Sequence, residues 1–407
     1  MELGESVRIA AASLWTHKLR SALTLLGVVI GVTSVIAVVS FINGLNSYVA
    51  EKIFNLGADV FVVNRGPIII MNVDDYLETQ KRKKLTMDHY QGVRESCRSC
   101  QQVGASVDKW NAEVKYGMNY IRDTRLRGWT PSMARIYDVE LNAGRHITES
   151  DLARAAPVCA VGWDIVENLF PATDPIGKEI RVGGQTCEII GVGKKLGSAL
   201  GQSRDNWVIT PITTFRKTYG TEQSIRIWGK APSPERLDAT IDEVRQILRG
   251  RRHLPYQAKD DFAIETHQSL LSLWANISSA FFAMTLLIAS ISLVVGGIVI
   301  MNIMLVSVTE RTREIGLRKS VGARRSDILL QFLIESSTIA AIGGIWGILG
   351  GVLLAKFVSW VTPLPSAIET WSIVASLLVA TGVGLFFGIY PASRAARLDP
   401  VVALRAE

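Results

Sequence analysis

The sequence predicts an α-helical membrane protein with four transmembrane helices and a large α+β extracytoplasmic domain inserted between helices 1 and 2. Three observations predict it. Acidic and basic residues vanish from four windows, 21–50, 268–309, 336–355 and 370–393, each long enough for the roughly 20 apolar residues that cross about 30 Å of hydrocarbon. Between the first two windows lies a hydrophilic region, 51–268, large enough for one or two domains with cores of their own. Basic residues gather on one side: segments 1–20, 310–327 and 394–407 carry twelve Lys/Arg together, and the loop 357–370 carries none. That bias places both termini in the cytoplasm and the 51–268 region outside.

Composition agrees with this segregation. The chain is 48% hydrophobic with a mean hydropathy of +0.24, and its net charge of +7 follows from the basic cytoplasmic pieces. A nucleic-acid partner is therefore not expected. All four cysteines, Cys97, Cys100, Cys159 and Cys187, fall in the outer region, where disulfides persist. Any of them is a candidate for a bridge. Cys97 and Cys100 have CxxC spacing without the second CxxC of a zinc ribbon, and Cys159 and Cys187 sit in apolar runs that also suit small buried side chains.

Taken in order, residues 1–20 read as a cytoplasmic amphipathic helix on the membrane surface, with Leu3, Val7, Ala10, Ala11, Leu14 and Trp15 at helical spacing. Helix 1 (21–50) is too long for the apolar core of a cleavable signal. Its Gly27 and Gly31 form a GxxxG that permits close helix packing. In the outer region, segments 58–63, 157–162, 179–183, 187–193, 206–210 and 224–229 are β-branched and bounded by Gly or Pro, the pattern of strands. Thr86 is placed to cap one helix. Ser233, Pro234 and Glu235 start another, with Leu237, Ile241, Val244 and Leu248 on one face.

No catalytic set emerges. His89, His146, His253 and His267 are scattered, without HExxH spacing or a metal-ligand pattern. They read as surface or capping residues, and no metal is expected. GVGKKLGS (191–198) does not satisfy GxxxxGK[ST], and no P-loop occurs anywhere in the sequence.

The second window is too long for one crossing. A helix of 42 residues runs about 63 Å, roughly twice the hydrocarbon thickness, so 269–309 is read as a stalk continuing into helix 2. Leu270, Trp274, Ile277 and Phe281 form a heptad-like seam on the stalk. A break near Asn276 or Ser278 is the alternative. The loop 310–327 is basic and punctuated by glycines. Helix 3 (328–356) carries Gly343, Gly347 and Gly351 at intervals of four, suited to tight packing. Glu335 near its start is read as interfacial, because a carboxylate at bilayer depth is costly. The outer loop 357–370, helix 4 (371–393) and the cytoplasmic tail 394–407 complete the chain. No line of buried charges crosses the windows, which argues against an ion-coupled carrier and places the energy source elsewhere.

At this point the sequence resembles a known family. LRSALTLLGVVIG (19–31), LFPATDPIGKEIRVGGQTCEIIGV (169–192), ERTREIGLRKSVGARRSDILLQFLIE (310–335) and YPASRAARLDPVVALRAE (390–407) resemble the MacB-type permeases of ABC transporters, also called FtsX-like or type VII. The resemblance implies a membrane-near α/β part (51–105 with 225–268) and a β-rich insert (106–224). It implies a homodimeric or pseudo-dimeric assembly working with an ATPase subunit of the MacB or LolD kind that binds ATP and Mg, with a periplasmic adaptor as a further partner and membrane lipid around the helices. MacB carries its ATPase on the same polypeptide. This sequence starts at the amphipathic helix, so a separate ATPase subunit is expected and this chain is expected to be non-catalytic, with no cofactor of its own.

Carried over residue by residue, the ATPase contact falls on Glu310, Arg311, Arg313, Glu314, Gly316, Arg318, Lys319, Gly322 and Ala323. The implied task is export of antibiotics, peptides or other hydrophobic compounds from the bacterial cytoplasmic membrane. Lipoprotein release or activation of a cell-wall hydrolase would use the same mechanism. A ligand-sensing receptor is the reading from a different class.

Overall fold

The computed structural model describes residues 18–49, 57–68, 70, 72–199, 201–362 and 365–405. The amphipathic helix expected before residue 18 lies outside them. The chain divides into two compact units, Met1–Val49 with Trp274–Glu407, and Ala50–Leu273.

The outer unit is built on one ten-stranded mixed sheet. Its strands are β1 (Val60–Asn64), β2 (Gln102–Tyr116), β3 (Asn119–Trp129), β4 (Leu141–Gly144), β5 (Val158–Val161), β6 (Glu179–Val182), β7 (Gln185–Gly193), β10 (Trp207–Pro211), β11 (Arg226–Lys230) and β12 (Ala263–Thr266). A separate two-residue hairpin supplies β8 (Ser198–Ala199) and β9 (Gln202–Ser203). The sheet order is β12-β1-β11-β2-β3-β10-β5-β7-β4, with β6 bridging β2 and β7. The boundary expected at 105/106 falls inside β2, and one sheet joins strands from both expected parts.

The six segments read as strands all form strands, because their alternating β-branched residues fill the two faces. Val60 and Val62 lie in one core with Trp129, Ile209 and Trp228; Phe61 and Val63 lie in the other with Val107, Ile189 and Ile227. Sequence reading missed the long β2–β3 hairpin, whose charged residues interrupt the apolar pattern. Its turn is marked only by Gly117, at φ +57°.

On the first-named core's face, α4 (Met133–Ile136) covers the sheet. The outer unit's other helices are α1's successors in the chain, α2 (Val73–Lys81) and α3 (Met87–Ser96), then α5 (Glu149–Ala153), α6 (Trp163–Leu169), α7 (Ile212–Tyr219) and α8 (Leu237–Arg251), α1 itself being the membrane helix Lys18–Tyr48. The amide of Thr86 starts α3 by donating to His89 Nδ1 at 3.0 Å, a capping role. At α8 a short 3-10 turn over Pro234–Arg236 comes first, and Leu237, Ile241, Val244 and Leu248 then face the core. Buried Arg252 closes this end through a two-point ion pair with Asp261, at 2.6 Å each, and a bond to Lys83 O.

The membrane unit contains α1, α9 (His267–Glu310) from Trp274 onward, α10 (Thr312–Ser320), α11 (Arg325–Val361), α12 (Thr370–Ala396) and α13 (Pro400–Arg405). Among the described residues, four helices are long and apolar enough to cross a membrane: α1 over Leu25–Tyr48, α9, α11 and α12. α9 is one helix of 44 residues, about 66 Å long, with no break at Asn276 or Ser278. It begins in a reciprocal cap, Ser269 N donating to Thr266 Oγ1 at 3.0 Å and Thr266 N to Ser269 Oγ at 2.8 Å.

Candidate functional site: the helix between membrane helices 2 and 3

Helix packing sets the position of this site. An ideal Cβ on Gly27 would lie 2.8 Å from Gly296 Cα of α9, and one on Gly31 would lie 3.0 Å from Leu293. On the α11 side, Cβ atoms on Gly343, Gly347 and Gly351 would lie 3.2, 2.6 and 2.7 Å from the Cβ atoms of Val28, Val32 and Ile36. These glycines bring α1 within backbone reach of α9 and α11, where dispersion contacts replace the hydrophobic drive that lipid cannot supply.

Of the stalk positions, Leu270 is buried, Trp274 and Ile277 are half-buried, and Phe281 is 61% exposed. Trp274 Nε1 and Ser278 Oγ both donate to Asn46 Oδ1 of α1, at 2.7 and 3.0 Å.

The basic loop itself folds as α10, a helix with two chemically distinct faces. Ile315 and Gly316 are buried, and a Cβ on Gly316 would stand 2.7 Å from Ala403 Cβ of α13. On the same face, Lys319 Nζ donates to Ala396 O at 2.7 Å and Leu398 O at 2.6 Å, satisfying carbonyls left over at the end of α12. Burial lowers its pKa, as does nearby Arg325.

Arg311, in the bend before α10, lies 3.4 Å from both oxygens of Glu335. Glu335 is 3% exposed. Glu335 is thus packed against a cation from the preceding helix junction, because its position on α11 faces the bundle. Arg318 links the two faces, donating to Gln331 Oε1 at 2.8 Å and Glu314 Oε1 at 2.6 Å.

The opposite face is open. Glu310, Arg313 and Glu314 are exposed, and so are Leu317 at 55% and Val321 at 81%. Spacings of three and four put Arg313, Glu314, Leu317 and Val321 on one stripe, with Glu310 at the end of α9. Exposed Gly322 ends the stripe at φ +105°, with half-buried Ala323 beyond. The nine positions marked in the sequence therefore divide: Arg311, Gly316 and Lys319 hold α10 to its own bundle, and Glu310, Arg313 and Glu314 face outward. Leu317 and Val321 escaped sequence reading, although two apolar residues in so charged a segment were the available signal.

The cysteines lie in the outer unit. Cys97 and Cys100 form a disulfide with a Cα–Cα distance of 5.6 Å, and the amides of Arg98 and Ser99 in its turn donate to Glu243, at 2.8 and 3.0 Å. Cys159 and Cys187 are free and buried, 2.7 Å apart at sulfur. Burial, then Cys187, pushes the Cys159 thiol well up. Among the described residues, no group of three or more His, Cys, Asp or Glu could hold a metal.

An outer domain after the first membrane helix, three further membrane helices and a short amphipathic helix between the second and third define an arrangement with known relatives. Residues 21–247 match the family of the MacB-like periplasmic core domain, and residues 286–400 match the FtsX-like permease C-terminal family. The chain belongs to the MacB-like, FtsX-type ABC transporter permeases. It is 32% identical to the uncharacterized ABC transporter permease YknZ of Bacillus subtilis (strain 168), over 100% of both chains.

It is also 33% identical to the macrolide export ATP-binding/permease protein MacB of Rhodopirellula baltica, over 99% of this chain and 62% of that protein. The permease described here thus spans about three fifths of the MacB relatives' length. Among solved structures, the extracellular domain of the noncanonic ABC-type transporter YknZ from Gram-positive bacteria covers 51% of this chain and 100% of its own, with a TM-score of 0.41 at 19% identity. In this permease, α1, α9, α11 and α12 are the membrane-spanning helices and the 57–266 sheet domain is extracytoplasmic.

Proposed function

We propose that this permease couples ATP hydrolysis by a separate ATPase subunit to movement of its outer domain, for export of antibiotics, peptides or other hydrophobic compounds across the bacterial cytoplasmic membrane. Both termini lie in the cytoplasm, two permease copies form the working unit, and a periplasmic adaptor receives the cargo. ATP and Mg belong to the partner.

The two-faced α10 carries this reading. Its inner face is consumed by Gly316 and Lys319 contacts to α13 and the end of α12, and Arg318 reaches Gln331 of α11, so a push on the outer face is passed to these helices. The outer face, with Arg313, Glu314, Leu317 and Val321 exposed, offers an apolar centre with a charged rim, the anatomy of a protein contact. The continuity of α9 supports transmission, since one helix bends less than two. Relatives named as macrolide exporters support the export task.

The test is purification of the full chain from its native cells, with ATP hydrolysis assayed in the eluate. Wild type should bring down a P-loop ATPase. Leu317→Asp should cut the co-purified activity about tenfold or more, the loss expected when a contact-centre apolar residue is replaced by a charge. Purification in several mild detergents without any ATPase would overturn the reading.

A further inference from the structure

One face of the outer sheet carries a basic cluster for which the coupling mechanism has no use. The register Asp108↔Arg127 and Ser106↔Arg226, with the two-residue alternation of strands, puts Asp108 of β2, Arg125 and Arg127 of β3 and Arg226 of β11 on the same face. Arg125 and Arg226 both donate to Asp108 Oδ2, at 2.8 and 3.1 Å. A single buried carboxylate therefore serves two guanidiniums.

Arg127, directly across the ladder from Asp108, lies instead over the Trp129 ring at 5.6 Å from its centroid. The Nε atoms of Arg125 and Arg127 are buried without an acceptor among the described residues. Burial and the neighbouring Arg125 lower Arg127 to about 10, the sign of a cation short of counter-charge. Glu265 of β12, the other acid acting on Arg226, is already held by Asn64 Nδ2 at 2.8 Å and the Ile68 amide at 2.7 Å.

Beside the arginines stands an aromatic wall. Tyr137 stacks on Trp129 with centroids 5.3 Å apart and tilts against Trp228 at 4.8 Å. Trp129 also lines a water-sized apolar pocket with Pro131, Val139, Ile147, Trp207 and Ile209. Trp207 and Ile209 pair with Arg125 and Arg127 across β3 and β10, so pocket and arginines are neighbours on one face. A guanidinium fork matches carboxylate and phosphate oxygens.

We propose that this face is a binding site for an organic anion, its carboxylate or phosphate group held by Arg127 together with Arg125 and Arg226. The assignment concerns the outer domain alone and stands or falls separately from the ATPase contact.

Calorimetric titration of the full chain in phosphatidylcholine nanodiscs tests it, with 4-phenylbutyrate as the anionic probe and 4-phenylbutanol as its neutral counterpart. The anion should bind saturably and at least about tenfold tighter than the alcohol, the value of a charge-assisted hydrogen bond. Arg127→Gln should weaken the anion about tenfold, and Arg127→Lys less. Arg226, whose side chain is 40% exposed, can be changed without removing a buried group, and Arg226→Gln should weaken binding severalfold. Displacement of the probe when phosphatidylglycerol replaces phosphatidylcholine would assign the site to a lipid headgroup, and its absence to a soluble anion; both uphold the site. Equal affinity for anion and alcohol, or unchanged affinity in both Gln variants, would overturn it. So would salt-sensitive self-association lost in Arg127→Gln with no probe binding, which would make the cluster a contact between copies.

Discussion

At Gly117 and Gly177 in the outer domain the backbone takes φ of +57° and +75°, and a Cβ added at either would meet nothing within 4 Å. At Gly27, Gly347 and Gly351 in the membrane unit no such backbone is required, yet an added Cβ would come within 2.8 Å of a neighbouring helix. One residue type thus answers two solvents. In water, burial of β-branched side chains drives assembly, and glycine serves where the chain turns and, as at Gly104 and Gly128, where a Cβ would lie 2.6 Å from Met133 and 2.7 Å from Phe215 across the core. In lipid, burial of apolar surface gains nothing, and close approach of helices is what glycine supplies. Buried charge divides in the same way. Arg252 and Asp261 make a two-point pair at 2.6 Å with further carbonyl partners, whereas Arg311 reaches Glu335 at 3.4 Å from a half-exposed position.

The largest effect expected from this contrast comes from the glycine seam. Gly347→Leu would drive a side chain into Val32 Cβ and Val29 O, beyond the roughly 1–3 kcal/mol typical of overpacking, and should leave little folded protein after detergent extraction. Gly382 on α12 has nothing within 4 Å of its Cβ position. Gly382→Leu should therefore be neutral, or stabilising by up to about 1 kcal/mol through helix propensity. Thermal melts of the two purified variants make the comparison, and equal loss in both would show that the seam is not what holds α1.

Next comes Glu335→Ala, which strips Arg311 of a carboxylate partner inside the bundle. Removing one member of a buried pair costs about 3–5 kcal/mol, and the 27% exposure of the Arg311 side chain lowers the expectation to about 1–3 kcal/mol. A melt of this variant against Glu335→Gln separates charge from shape. A loss under about 0.5 kcal/mol in both would mean that the pair contributes specificity and no stability.

How much of this was legible in the sequence differs between the regions for the same physical reason. Membrane helices announce themselves because lipid forbids charge over whole windows, so α1, α9, α11 and α12 follow from counting. The MacB-type resemblance and the glycine spacings were equally readable. The β2–β3 hairpin was not, because Asp108, Arg125 and Arg127 occupy strand positions where apolar residues would have given the alternation away. The Arg311–Glu335 contact was not legible, because a one-dimensional reading of depth cannot see that Arg311, 24 residues earlier, folds back onto Glu335. The division of α10 into inner and outer faces needed α13, whose Ala403 decides that Gly316 is the buried side.

The smallest expected effect lies in the outer domain and is a matter of pH. Asp151 caps α5, accepting from the Thr148 amide at 2.9 Å, and pairs with Arg145 Nη1 at 2.6 Å. The Arg145 bond, more than any other contact, holds its carboxyl down to about 2, from an ordinary 3.8. Because the folded value lies below the unfolded one, the stabilisation is complete above about pH 4 and drains away as pH falls toward 2. With Arg145 half-exposed, about 1 kcal/mol is at stake. Arg145→Gln should remove that amount at neutral pH and leave the variant's stability flatter than the wild type's between pH 4 and 2. Parallel slopes for the two proteins across that window would place the acid sensitivity elsewhere, on carboxylates such as Glu243 that are also held down by hydrogen bonds.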